Sequence, residues 1–424
     1  MSRAAGHPLA EYDWQTHTHE HPQMTGSTVA RVLTDEKKQK IMRQLGCFAR
    51  QLSDLRFPTI GSLFKGDQGY YIGECFSPGH VLGGRAAIED IPRGPFRDEA
   101  DYYASLAEAL RLHAEQLPMG HHVLRAPVPV PQDYPDFARY YTATDRWNDF
   151  VALGGMVDSS ANRLQYCLAS QLLRDAIIPR MVRPARHHHH HHHHHQQPAP
   201  GFPLCHHDIS LQNLFVDDDL NITCVIDWAF ASTVPPAQLF ATPGLPHPRD
   251  LILELSTVRA FRSGFEAENT KMGGREIECG CWEACQMVSR FMRVVSLDAL
   301  QDYDHLEALY ALAGRPAAAS GVDGEDVDSV AAVLARRAES RDALALASEL
   351  AAEDEPEREV RRREEEYFAA VGAKRLALAR QVAFTARMNP RFVADGRLWR
   401  WIDQVVEYYD RMGSDEQAGM NAGW

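Results

Sequence analysis

Apolar residues recur along this 424-residue chain with two different periods, and the places where the period changes mark out its elements. Ile41, Leu45, Phe48, Leu52 and Leu55 fall three or four residues apart behind Thr34, Asp35 and Glu36, which predicts a helix with one buried face and Thr34 as its N-cap. The stretch "IGSLFKGDQGYYIGE" then places apolar runs on either side of Lys-Gly-Asp-Gln-Gly and predicts a β-hairpin. Helical spacing returns over residues 99 to 117 and again over 159 to 182, where Pro179 should kink or end the helix. Two short apolar runs, "NLFV" and "ITCVI", flank "DDDLN", a second hairpin signal. Beyond residue 250 the period is helical, with an Ala-rich, strongly charged section from about 316 to 366 whose charges suit a solvated helix face. A last apolar helix contains "LWRWIDQVVEYY". The sum is an α+β chain, mostly helical, with small β-hairpins.

Composition narrows the class. With 45% hydrophobic residues the chain can bury a large core, and a formal charge of -14 argues against a nucleic-acid partner, because phosphate contacts need clustered Lys and Arg. No run of 18 uncharged apolar residues suggests a membrane partner, and the first 25 residues lack the apolar core of a secretory signal, so a cytoplasmic location is expected. The same 25 residues are polar and His-rich, and a disordered tail is expected there. Eight cysteines are scattered through apolar segments as ordinary thiols. Cys279, Cys281 and Cys285 lack a fourth ligand at zinc spacing. Nine histidines at positions 187–195, within a low-complexity loop expected over 186–200, would bind nickel or zinc in vitro, and metal sequestration is one reading of them.

The chemistry concentrates in "CHHDISLQNLFVDDDLNITCVIDW", residues 205 to 228. Folding its hairpin about Leu220 sets Asn213 opposite Asp227, since each lies seven residues from Leu220. An amide oxygen facing a carboxylate suits Mg²⁺, a hard cation that shares its shell with phosphates. Asp208, five residues before Asn213, sits in the feeding loop, where a carboxylate can accept a proton from an attacking hydroxyl. Two rival motifs are weaker. Asp217, Asp219 and Asn221 begin like a calcium loop, but Ile222 stands at its glycine position and Trp228 at its glutamate position. An iron triad of His206, Asp208 and His247 belongs to β-rich folds, whereas the chain after 250 is helical.

"LCHHDISLQNLFVDD" followed by "VIDW" resembles the catalytic core of the aminoglycoside phosphotransferase and choline kinase-like family, and "FPTIGSLF", "RGPF" and "STVPPAQLF" resemble its fungal branch. The resemblance covers about residues 24 to 245. It implies Asp208 as the catalytic base, Asn213 and Asp227 as Mg²⁺ and nucleotide ligands, His206 as a brace of the catalytic loop, ATP as co-substrate and a small-molecule hydroxyl as acceptor. It also implies a protein-kinase-like large lobe over residues 26–315, a helical insertion at 316–366, C-terminal helices at 367–412 and a tail at 413–424. Only about 25 residues precede the part that resembles the interlobe linker, so the N-terminal β lobe is expected to be missing or vestigial. Ala229 stands where many relatives carry Glu, and none of the six lysines (Lys37, Lys38, Lys40, Lys65, Lys271, Lys374) lies on a strand ahead of the first helix. Two functions therefore remain open: an ATP-dependent small-molecule kinase, or a kinase-like remnant that binds without transferring phosphate.

Overall fold

A computed structural model describes residues 4–14, 31–120, 122–125, 143, 157–182, 201–245, 253–274, 279–298, 302–314, 328–369 and 377. The polyhistidine run, His247, most of the expected disordered tail, the predicted C-terminal helices beyond 369 and the tail at 413–424 lie outside the described residues. The first half holds β1 (His7–Pro8), β2 (Tyr12–Asp13), β3 (Arg31–Val32), α1 (Asp35–Leu52), β4 (Arg56–Phe57), β5 (Gly61–Gly66) and β6 (Gly69–Ile72). Then come α2 (Pro78–Val81), α3 (Glu99–Gln116), α4 (Ser160–Leu172) and α5 (Ile178–Met181). The second half holds β7 (Phe202–Cys205), β8 (Leu214–Val216), β9 (Ile222–Val225), β10 (Ser232–Thr233) and α6 (Pro236–Leu239). It continues through α7 (Leu255–Lys271), α8 (Cys279–Ser296), α9 (Asp302–Gly314), α10 (Val330–Ala338), α11 (Arg341–Ala352) and α12 (Glu357–Phe368). The chain is a mixed α+β protein.

The strands form an antiparallel sheet ordered β4-β7-β10-β5-β6, an antiparallel sheet ordered β1-β8-β9, and a parallel pair β2-β3. This topology positions the motif residues. The chain leaves the five-stranded sheet at the end of β7, enters the three-stranded sheet at β8, and returns from β9 to β10, which pairs with β7 through Ser232 and Cys205. Two short connections, 206–213 and 226–231, make that crossing, and every motif residue lies on them.

The described residues group into two compact units, the first within Met1–His113, Ala169–Ala299 and Asp304–Val327, the second within Ala114–Leu168, Leu300–Tyr303 and Asp328–Trp424. The described residues of 114–168 group with those of 328–369. In the first unit α1 behaves as its pattern predicts: Thr34 caps it by accepting from the Lys37 amide, and Ile41, Leu45 and Leu52 are buried. Leu55 is 49% exposed because the helix stops at Leu52. α1 crosses α7 with the two backbones in direct contact. A Cβ on Gly46 would lie 2.0 Å from the Phe261 carbonyl oxygen, and one on Gly264 would lie 1.9 Å from that of Arg43. Only glycine permits that approach. The crossing brings Ile41, Leu45 and Ala49 onto Ala260, Phe261 and Phe265, and the same core takes in Leu214, Val216 and Leu220 of the second hairpin.

One expectation is corrected. Residues 4–14, expected as part of a disordered tail, carry β1, which pairs with β8 (His7 with Val216, Pro8 with Phe215). Leu9 is 0% exposed in the core, so burying it and adding a strand offset the ordering entropy that the polar composition suggested would prevail. The interruption expected at Pro179 is a π-helical turn, Leu173–Ile177, immediately before α5, which carries the proline.

In the second unit, Asp302 is 1% exposed and its Oδ2 accepts from Tyr166 Oη at 2.6 Å and pairs with His122 Nδ1 at 3.1 Å. The expected charged section supplies α10, α11 and α12, the first two capped by Ser329 and Ser340.

Candidate functional site

The site is built from the two connections. Asn213, buried just before β8, spends both amide protons on Asp208: Nδ2 donates to the Asp208 backbone oxygen at 3.0 Å and to its Oδ2 at 2.8 Å. The loop 208–213 closes on itself through that amide and through the Asn213 N–H, which donates to the Ser210 oxygen at 3.1 Å. Asp208 is exposed, and its Oδ1 has no hydrogen-bond partner among the described residues. Because nitrogen is fixed toward Asp208, the Asn213 amide oxygen is left as an acceptor; the orientation follows from the network, since Asp208 offers only acceptors.

His206 ties this loop to the second connection. Its Nδ1 accepts from the Asp208 amide at 3.2 Å and its Nε2 donates to the Ile226 oxygen at 2.9 Å, which fixes the tautomer. The ring stands edge-on to Trp228 with centroids 4.8 Å apart. Ile226 is held on its other side too, its amide donating to the Asn213 oxygen at 3.0 Å. Trp228 is anchored by Nε1 donating to the Val225 oxygen at 3.1 Å and by an edge contact with Phe48 of α1. Between these anchors the backbone takes unusual angles: of four non-glycine residues with positive φ among the described residues, Asp227 (59°) and Phe230 (45°) lie in this loop. Asp227 is exposed and its Oδ1 accepts from the Ala229 amide at 3.4 Å.

The structure brings Asp208 and Asn213 into contact but pairs Asn213 with Ile226, one residue short of the predicted Asp227. The bend is centred on Asp219, since Val216 and Ile222 each lie three residues from it, and a bulge then advances the pairing by one residue. Leu214 pairs with Val225 and Phe215 with Cys224, but Val216 pairs with Ile222, leaving Thr223 extra in β9. Gln44 of α1 sets that register, donating from Nε2 to the Leu220 oxygen at 2.9 Å and accepting at Oε1 from the Ile222 amide at 2.8 Å. Leu220, at φ 62°, turns the bend. Asp217 caps the bend rather than binding calcium: Oδ1 accepts from the amides of Asp219 and Asn221, and Oδ2 from Asn221 Nδ2. Those bonds, the Asn221 side chain's first, hold its carboxyl below the usual range. Gln44 carried no signal of this role in a single sequence, because its partners lie 176 and 178 residues away.

Beside Asp208 a cavity of about 460 Å³ opens between α1, α6, α7, α8 and the first connection. Its wall is largely apolar, with Leu45, Ala49, Leu52, Phe230, Phe261 and Met292, and its charged side chains are Asp208, Arg293 and Asp298. His207 lies on the wall and bonds to Ser232 Oγ at 2.5 Å; burial pushes its imidazole down to about 4, so it is neutral at pH 7. Burial pushes the Cys205 thiol up to about 12, which removes it as a nucleophile. Among the described residues no three His, Cys, Asp or Glu side chains group to hold a metal ion, and Asn213 with Asp227 offers one amide and one carboxylate. Among the described residues no helix is long and apolar enough to cross a membrane.

Comparison with family models, with curated proteins and with solved structures gave no match for this chain.

Proposed function

We propose that the chain is a phosphotransferase of the aminoglycoside phosphotransferase and choline kinase-like type, with a kinase-like large lobe, moving the γ-phosphoryl group of ATP onto a hydroxyl of a small molecule. One observation carries the reading: the double hydrogen bond from Asn213 Nδ2 fixes Asp208 while leaving Asp208 Oδ1 and the Asn213 amide oxygen for other partners. In such a transfer a bond forms from the acceptor oxygen to the γ-phosphorus, the bond from that phosphorus to the β–γ bridging oxygen breaks, and ADP leaves. The acceptor proton needs a base, and Asp208 Oδ1 is the carboxylate oxygen presented for it. His206 and Asn213 keep that base in register with the strand end that carries Asp227.

The Asn213 amide oxygen and the Asp227 carboxylate are hard donors and fit Mg²⁺, which takes one or two protein oxygens and completes its shell with phosphates and water. The ion's contribution when bound is to neutralise phosphate charge. A second reading, a kinase-like protein that binds without transfer, is favoured by the lysines. Lys38 pairs with Asp35, Lys40 donates to the Asp219 oxygen, Lys271 pairs with Glu268, and none of the three lines the cavity beside Asp208.

Thermal unfolding with and without MgATP separates the readings. A phosphotransferase gains about 2.7 kcal/mol at a nucleotide concentration a hundred times Kd, and Asp227→Ala loses that gain. Asp208→Ala keeps the shift but slows ATP turnover by about 10²-fold or more. No shift in the parent protein, or equal turnover in parent and Asp208→Ala, refutes the assignment.

A further inference from the structure

We infer that the cavity beside Asp208 binds a predominantly apolar alcohol, its hydroxyl at Asp208 and its hydrocarbon part on the floor between α1 and α7. As a statement about the acceptor this rests on the phosphotransferase reading; as a statement about binding it stands on the cavity alone. The wall runs from exposed Asp208 to Leu45 and Phe261, which are 2% and 1% exposed, so the cavity leads from the carboxylate into the core. Its size falls within the range of ordinary small-molecule sites. Asp208 and Asp298 against Arg293 give a formal charge of −1 on the wall, from two acids and one base. A polyamine or amino sugar needs several carboxylates to replace the water around its ammonium groups, and such a wall does not supply them. An alkyl chain needs none, and it gains from every methylene that leaves water.

The test is isothermal titration of the full chain with 1-hexanol, 1-octanol and 1-decanol, and with spermidine as the polycation, all without nucleotide. The expected result is affinity rising about three- to fourfold per methylene, with spermidine binding more weakly than any of the alcohols. Ala49→Phe and Ser289→Phe fill the cavity from α1 and α8, and each is expected to weaken 1-decanol at least tenfold. Affinity independent of chain length in the parent protein, or spermidine binding tighter than 1-decanol, overturns the inference even where neither variant folds. Unchanged 1-decanol binding in a folded variant of both positions overturns it as well. The phosphotransferase reading fails separately. Alcohols that bind in this graded way but receive no phosphate from MgATP leave the cavity assignment standing and remove the enzyme. Phosphate transfer to amino alcohols with no binding of 1-decanol does the reverse.

Discussion

The crossing of α1 and α7 makes opposite predictions depending on whether helix propensity or packing governs it. Gly46 and Gly264 lie inside regular helices, so replacing either by alanine should stabilise an isolated helix by about 1 kcal/mol. In the folded chain the added Cβ at 264 meets a backbone oxygen at 1.9 Å, and real Cβ contacts essentially never fall under 3.0 Å. The backbones must therefore part by at least 3.0 − 1.9 = 1.1 Å. A gap of that size forfeits roughly a quarter to a half of each dispersion contact across the interface. The obstacle is backbone and cannot rotate away, so the cost sits at or above the top of the ~1–3 kcal/mol usual for overpacking. After the propensity gain, a net loss of about 2 kcal/mol is expected for Gly264→Ala, and the same for Gly46→Ala. The double variant is decisive. Once the helices have parted for one methyl group they accommodate the other, so the combined loss should fall short of the sum by about 1 kcal/mol or more. Urea unfolding of parent, single and double variants, with equal slopes checked, reads all three values. A more stable Gly264→Ala, or strict additivity, refutes the contact argument.

Gln44→Ala should cost about 1–3 kcal/mol, because the Ile222 amide loses its acceptor in a half-buried turn; hydrogen exchange at Ile222 should speed up more than at Val216, and equal protection of both amides in the variant refutes the clamp. Acid sensitivity follows from His80 and His305, which are buried and held down to about 3, chiefly by burial. The unfolded chain protonates them near 6.5, so it binds more protons than the native state between about 6.5 and 3. Stability should be flat above that window and fall as pH drops through it, by up to about 1.4 kcal/mol per pH unit for each imidazole. His80→Gln should remove one imidazole's share of that slope in urea midpoints at pH 7, 6 and 5, and an unchanged slope refutes it.

The legible parts of this fold were those governed by neighbours in sequence. α1 was readable because its cap and its buried stripe both lie within eighteen residues. The second hairpin was readable because Asp217 and Asn221 satisfy a bend by themselves. The register of that hairpin was not readable, because the bulge at Thr223 is held by Gln44 from another helix. The same reason hid the order in residues 4–14. Leu9, Tyr12 and Trp14 are apolar in a polar context, and what makes them core is β8, some two hundred residues later.

Asp208 and Asn213 meet as their spacing suggested, but Asp227 reaches the site by a different route from the one a simple hairpin offers. A hairpin folded about Leu220 would set its side chain by strand pairing. Here pairing ends at Ile226, and Asp227 sits beyond it at φ 59°. A non-glycine residue keeps such a conformation, at a cost of order 1 kcal/mol or more, only where its surroundings leave no alternative. They leave none: Ile226 is gripped by His206 and Asn213 on one side, and Trp228 is fixed by Val225, His206 and Phe48 on the other. The direction of the Asp227 side chain is thus a property of the backbone around it, and of groups that also hold Asp208. That shared support explains why a histidine with no exposed role and a tryptophan with an ordinary aromatic environment stand within the same short motif as the acids. Their contacts tie the strained turn to the loop that carries the exposed carboxylate.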